Sequence, residues 1–253
     1  GARNTRNVTR SRSPSRNRNA AAFTAMSGNP IFCAVDTADL SHACNLARMV
    51  APHVGGLKLG LEFWNSHGAA GVAEVMARAP KARLFLDLKL HDIPNTVAGG
   101  IRALANVDFD ILTVHAAGGR AMMQAAKQAA PDHAAVIGVT VLTSLDDQDL
   151  DDIGVTGTSA SQVARLAALA RDSGLDGIVC SPQEVAERRR DWPDGLFVVP
   201  GIRPVGSDAG DQKRTLTPDQ AMAAGAGVLV IGRPITQATD PASVASTIAA
   251  SLR

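Results

Sequence analysis

Cysteine is scarce in this 253-residue chain. Cys33, Cys44 and Cys180 are an odd number at wide spacings, which fits neither a disulfide framework nor a zinc site, so reduced thiols are expected. Long apolar runs are also lacking. A spanning helix needs roughly 18 or more consecutive apolar residues, and the best stretch, 221–231, is broken by Gly225 and Gly227. The chain therefore reads as soluble and cytoplasmic, with no membrane partner. Acidic residues are missing from the first 24 positions, where Arg3, Arg6, Arg10, Arg12, Arg16 and Arg18 fall. Removing those six positive charges from the total of +1 leaves −5 for residues 25–253. A near-neutral sum thus conceals a basic tail on a mildly acidic body.

Residues 1–25 are rich in Arg, Ser and Asn, with too little apolar surface to offset the entropy of ordering, and disorder is expected there. Secretion is disfavoured, because a signal peptide needs an apolar stretch of roughly 7–15 residues and only Ala20–Phe23 follows the arginines. An RNA-binding arm, an organelle transit peptide and an upstream-translation or cloning remnant compete as readings, beside the one that the tail does nothing specific. The last is preferred, so no nucleic-acid partner is expected. Met26 stands at the boundary and is a candidate start codon. Residues 26–253 form the single folded domain, and the 45% hydrophobic content supports a packed core.

From residue 31 onward, short apolar or β-branched runs alternate with longer helical patterns. The runs are 31–36, 55–61, 83–90, 110–116, 134–142, 176–181, 196–202 and 227–232. Between them Leu40–Val50, Ala70–Ala79, Pro94–Leu104, Gly119–Ala129 and Ser159–Ser173 read as amphipathic helices, and 241–252 as a closing one. Eight strands alternating with helices predict a parallel sheet closed into a (β/α)₈ TIM barrel. No GxGxxG follows the first strand, which disfavours a doubly wound open sheet.

Chemistry in such barrels sits at the C-terminal ends of the strands. In the third run, RLFLDLKL, alternation sends Leu84, Leu86, Leu88 and Leu90 to the helix layer and leaves Asp87 and Lys89 pointing into the mouth. Lys58, flanked by Gly56 and Gly60, and Asp36 at the end of the first run follow the same inward logic. A structural ion-pair cluster is the bland alternative. It is the weaker one, because buried ion pairs bring little net stability once desolvation is counted. After the seventh and eighth runs come PGIRP (200–204) and IGRP (231–234). Loops in those places form the usual phosphate site of the fold, where glycine permits close backbone approach and Arg203 and Arg233 offer planar donor forks. A phosphorylated small molecule is the expected ligand.

DLKLHDIPNTV (87–97) resembles the Asp-x-Lys-x-x-Asp motif of the orotidine 5′-phosphate decarboxylase family. Asp36, Lys58, VTVLTS (139–144), PGIRP, GDQKR (210–214) and VIGRP extend the resemblance over nearly the whole barrel. It implies cofactor-free and metal-free decarboxylation of orotidine 5′-monophosphate to uridine 5′-monophosphate in pyrimidine synthesis. It further implies a catalytic set of Lys89, Asp87, Lys58 and Asp92, with Lys89 protonating C6 and Asp87 beside the departing carboxylate. Lys58 and Asp36 would reach the ribose. Thr143, ahead of its neighbour Ser144, would contact the pyrimidine, and Gln212 would bridge base and phosphate from a lid spanning 205–212. Arg203, Gly232 and Arg233 would hold the phosphate. A homodimer with shared sites is implied too, Asp92 and Thr96 projecting into the neighbouring subunit.

The remaining polar features have ordinary readings. His115 ends the fourth run and reads as packing or support. Cys33 and Cys180 read as inert core thiols, the acidic run 146–152 as a solvated loop or helix face, and Glu187–Arg190 as an exposed helix end. Three rivals to the decarboxylase stand: the Mg²⁺-dependent sister enzyme 3-hexulose-6-phosphate synthase, an RNA-binding protein using the arginine tail, and a catalytically silent barrel.

Overall fold

The structure, a computed structural model, describes residues 28–204 and 216–252. The basic tail, the 205–212 lid and Gln212 lie outside the described residues. Eight parallel strands close into a barrel in sequence order: β1 (Ile31–Val35), β2 (Gly56–Gly60), β3 (Arg83–Leu90), β4 (Ile111–His115), β5 (Ala135–Val139), β6 (Gly177–Val179), β7 (Leu196–Val199) and β8 (Val228–Ile231). The expected TIM barrel is therefore present. Each predicted run contains its strand, and the runs that overshoot do so for local reasons. β7 stops at Val199 because Pro200 has no N–H to continue the ladder and Gly201 turns the chain at φ +74°, a conformation that favours glycine. β5 stops where the Thr140 hydroxyl donates to Val179 O at 2.8 Å.

The helices fill the connections: α1 (Leu40–Val50), α2 (Leu61–Arg78), α3 (Pro94–Ala103), α4 (Gly119–Ala129), α5 (Asp147–Asp152), α6 (Ser159–Asp172), α7 (Val185–Asp191), α8 (Pro218–Ala223), α9 (Arg233–Thr236) and α10 (Pro241–Ser251). α2 starts nine residues before the predicted Ala70 because it leaves β2 directly, with a break at Gly68 (φ +55°, ψ −153°). The acidic run forms α5, whose N-cap Asp146 makes a reciprocal capping box with Asp149. The element is thus a helix with acidic residues at its positive end.

Burial separates two apolar regions. The larger lies between barrel and helices and takes Leu84, Leu86 and Leu88 from β3 with Leu112 and Val114 from β4. The smaller fills the barrel interior with Phe32, Ala34, Phe85, Ile111, Ile137, Val198 and Val230. Phe32 and Phe85 meet edge to face there, at 6.4 Å between ring centroids. Gly56 must lack a side chain, because a Cβ would lie 2.2 Å from the Phe32 ring. This plug ends below the level of Asp36, Lys58 and Asp87, so a polar layer rests on an apolar floor.

The exposed-end reading of Glu187–Arg190 holds for Glu187 and Arg190 and is corrected for Arg188 and Arg189. Arg188 is buried and paired with Glu187 and Asp191 at 2.7 and 3.0 Å. Arg189 lies 4.4 Å over the Phe197 ring and donates to Gly195 O and Gly225 O. Long stems let these arginines cover apolar surface while their heads find carbonyls and carboxylates.

Candidate active site

Lys58 is the hub of the mouth. Its ammonium stands 3.1 Å from Asp36 Oδ1 and 3.3 Å from Asp87 Oδ2, and the same Asp87 oxygen lies 2.8 Å from Lys89 Nζ. Asp36, Lys58, Asp87 and Lys89 thus form one continuous chain of alternating charge. Asp87 is completed by the Thr113 hydroxyl, which donates to Oδ1 at 2.9 Å. Burial opposes the charge of Asp87, but Lys58, Lys89 and the Lys89 and Thr113 hydrogen bonds outweigh it and hold the carboxyl below its ordinary pKa. Burial likewise works against the Lys58 ammonium, and Asp87 and Asp36 reverse it, so its pKa is raised. Asp87 and Lys58, the two buried members of the array, are therefore kept ionised by their neighbours. Gly60 makes room for it, because a Cβ there would sit 2.9 Å from Asp36 Oδ1 and 3.2 Å from Lys58 Nζ.

Simple alternation does not describe β3 at this point. Leu86 pairs with Leu112 and Leu90 with Val114, so Asp87, Leu88 and Lys89 all stand opposite Thr113 alone. Lys89 has φ +48°, the one positive φ of a non-glycine among the described residues. A strand bulge, with its local bend, carries the Asp87–Lys89 pair. The two side chains still share the mouth as expected, by a different backbone route.

The array lines a cavity of about 520 Å³, within the range of roughly 300–1,000 Å³ usual for small-molecule sites. Its floor is Ala34, Phe85, Val198 and Val230; Thr143, Arg203, Gly232 and Arg233 stand on the walls. Eight of the eleven predicted site residues thus converge on one pocket. Thr143 is among them, whereas Ser144 is exposed and lies outside the lining. Asp92 and Thr96 are exposed, and Asp92 Oδ1 accepts the Ile93 N–H at 2.6 Å; neither lines the pocket of its own chain. Gln212 lies outside the described residues. Ile202 and Leu216 form a parallel bridge, and the Arg203 N–H donates to Leu216 O at 3.0 Å.

Sequence reasoning passed over Thr113 and Gln237, whereas Gly201 belongs to the expected PGIRP turn. Gly201 and Gln237 line the cavity next to the two arginines. Thr113 was detectable by alternation: Ile111 points into the barrel and Leu112 and Val114 point out, so Thr113 is an inward hydroxyl one layer above Ile111. His115 stacks on His91 at 5.4 Å and is not part of the lining, in keeping with a supporting role. Burial, His91 and Lys89 lower its pKa. Cys33 and Cys180 are buried thiols whose pKa burial raises, that of Cys33 to about 12, although Cys180 also touches the cavity wall. Among the described residues, no group of three or more His, Cys, Asp or Glu could hold a metal ion, and no helix is long and apolar enough to cross a membrane.

Fold and site define a TIM barrel whose C-terminal mouth joins an Asp–Lys–Asp–Lys array to a wall bearing two Gly/Arg turns. Residues 29–248 match the model of the orotidine 5′-phosphate decarboxylase / HUMPS family. The chain is 60% identical over 224 residues to the orotidine 5′-phosphate decarboxylase of Sphingopyxis alaskensis, covering 88% of this chain and 99% of that protein. It is 54% identical to that of Novosphingobium aromaticivorans, with the same coverage. The crystal structure of orotidine 5′-phosphate decarboxylase from Lactobacillus acidophilus superposes with a TM-score of 0.78 at 34% identity, over 89% of this chain and 99% of that one. The chain belongs to the orotidine 5′-phosphate decarboxylase / HUMPS family.

Proposed function

We propose that the protein decarboxylates orotidine 5′-monophosphate to uridine 5′-monophosphate and CO₂ without a cofactor. The observation that carries this reading is the single Asp87 oxygen shared by Lys58 and Lys89, at 3.3 and 2.8 Å, in a cavity that also holds Arg203 and Arg233. Loss of CO₂ from C6 leaves an electron pair that the pyrimidine ring delocalises poorly, and most enzymes meet that demand with a cofactor electron sink. A fixed ammonium beside C6 meets it electrostatically. Lys89 stabilises the developing carbanion and then transfers a proton to carbon, replacing the departing CO₂ with hydrogen. Asp87 faces the substrate carboxylate and disfavours that ground state, and Lys58 and Asp36 hold the ribose. Arg203, Arg233 and Gly232 take the phosphate, Thr143 the base, with Gln212 closing over both.

The sister reaction of the family uses Mg²⁺. Here Asp36 and Asp87 direct their oxygens at lysines, which favours the metal-free chemistry. An ultraviolet assay of orotidine 5′-monophosphate loss tests the reading. Wild type should turn over in EDTA, and Lys89→Ala should lose activity on the order of 10³-fold or more, as expected for a group that both stabilises charge and donates a proton. An unimpaired Lys89→Ala variant, or turnover abolished by chelation, overturns it.

The same reading assigns Asp92 and Thr96 to the site of a second subunit. Its support is the surface they share: residues 91–96 are exposed throughout, with Ile93 67% exposed although apolar. Mixing Lys89→Ala with Asp92→Ala subunits then gives mixed dimers with one intact site each. Activity should recover to about a quarter of wild type from two nearly inactive parents, by random pairing of equal subunits in a twofold dimer. No recovery after subunit exchange is the result that rejects shared sites.

A further inference from the structure

We infer that Thr113 is the positioning residue of the catalytic lysine: its hydroxyl staples the β3 bulge so that Asp87 and Lys89 are presented together. The inference rests on the decarboxylase reading and adds a residue on a neighbouring strand. Three residues of β3 stand opposite Thr113, with regular pairing resuming at Leu90 and Val114. Such a bulge leaves backbone groups without ladder partners. Thr113 Oγ1 accepts the Lys89 backbone N–H at 3.0 Å, the group that the bulge would otherwise orphan. The same oxygen donates its proton to Asp87 Oδ1 at 2.9 Å. One hydroxyl, acting once as acceptor and once as donor, thereby ties the backbone of Lys89 to the side chain of Asp87.

The direction of these bonds is fixed. A backbone N–H only donates and an ionised carboxylate only accepts, so the hydroxyl proton points at Asp87 and its lone pair at Lys89. Thr113 is wholly buried, flanked by Leu112 and Val114 in the helix-facing core, and solvent does not compete for either bond. The positive φ of Lys89 is a conformation that a lysine holds only where its surroundings over-determine it. Thr113 supplies that determination from outside the reacting layer, since it is absent from the cavity lining. It acts through Asp87 and Lys89 and does not touch the ligand itself.

Thr113→Val keeps the shape and removes both bonds, and Thr113→Ser keeps the bonds and removes a methyl group. Steady-state kinetics on the full chain, with folding followed by circular dichroism, separate the two. With Val, kcat should fall about 10- to 100-fold, the range expected for misplacing a reacting group by about an ångström, while KM changes little because the phosphate and ribose contacts remain. Thr113→Ser should restore kcat to near wild type. If Val does not fold, Thr113→Cys, a weaker donor and acceptor of similar reach, should show an intermediate loss in kcat at unchanged KM. A Val or Cys variant with wild-type kcat, or a Ser variant impaired as much as Val, overturns the inference while leaving the decarboxylase reading intact. Absence of turnover in the wild-type chain removes both.

Discussion

Asp87 and Asp176 are both buried aspartates bonded to a lysine, at opposite ends of one barrel, yet their surroundings push them opposite ways. At the mouth, Asp87 receives Lys58, Lys89 and Thr113 across its two oxygens and its pKa falls. At the floor, Asp176 takes both Lys127 (2.5 Å) and the Val136 N–H (2.8 Å) on Oδ2, leaving buried Oδ1 without a hydrogen-bond partner. There burial outweighs Lys127 and the pKa rises. Asp110, which accepts the Leu84 N–H at the same end, is also raised, by burial. The count and sign of facing donors, more than burial itself, decide which way the pKa of each carboxyl moves. The floor aspartates clamp a neighbouring strand by its backbone; the mouth aspartate is spent on charges that point into a cavity. This is the division between stability and chemistry expected for the two faces of the fold.

The largest test of that division lies at the floor. Asp176→Ala removes a strand clamp and the partner of Lys127, and should cost roughly 3 kcal/mol of unfolding free energy, or a melting temperature lower by roughly 6–12 °C. Its kcat/KM at a temperature where it remains folded should stay within about twofold of wild type, as for a site distant from the reacting atoms. Lys89→Ala should show the converse, because Asp87 keeps Lys58 when Lys89 is lost. An Asp176→Ala protein that is stable but inactive would erase the distinction.

A smaller effect is expected from Gly60→Ala. The backbone at Gly60, φ −102°, suits alanine, but the new Cβ would press on Asp36 Oδ1 at 2.9 Å and Lys58 Nζ at 3.2 Å. Shifting that pair should lower kcat/KM by roughly tenfold, as misplacement of positioned groups does, with little change in chemical denaturation. Unchanged kinetics would mean that the Asp36–Lys58 end of the array tolerates displacement.

The smallest effect is on pH dependence, and its sign separates the two aspartates. Asp87 has a folded pKa below its unfolded one, so its contribution is present above the unfolded value and is lost as pH falls through the folded value. Asp176 has a raised folded pKa, so its contribution is full below the unfolded value and is lost as pH rises through the folded value. Urea unfolding from neutral pH downward should therefore show wild type losing stability relative to Asp87→Asn in the acid range, below the usual aspartate pKa. It should gain relative to Asp176→Asn above that value. Slopes of the same sign for both pairs would refute the comparison.

Much of this was legible in the chain itself. Strands buried on both faces read as continuous apolar runs, which is why all eight were found and Arg83–Leu90 was bounded correctly. The polar layer was legible because a charge near the end of such a run has few places to go other than the mouth. What escaped the sequence depends on pairing between distant segments. The bulge exists only as a mismatch between β3 and β4, and no property of RLFLDLKL alone announces that three of its residues face one threonine. Arg188 and Arg189 misled for a related reason: a run of charges suggests solvent, and only the fold buries Arg188 and lays Arg189 over the Phe197 ring and against the carbonyls of Gly195 and Gly225. Asp92 and Thr96 stand outside the pocket of their own chain, so the fold of a single chain does not join them to the site.

The sequence by itself determined the alternation of strands and helices, the barrel this implies, and the residue types at its mouth, because periodicity and strand-end position are local properties of a chain. Tertiary structure decided the rest. It chose which oxygen of Asp87 two lysines share, placed Lys89 in a left-handed conformation held by Thr113, and gave Asp87 and Asp176 opposite protonation tendencies. Those outcomes are set by distances of about 3 Å between residues far apart in the chain, where electrostatic and hydrogen-bond energies are decided.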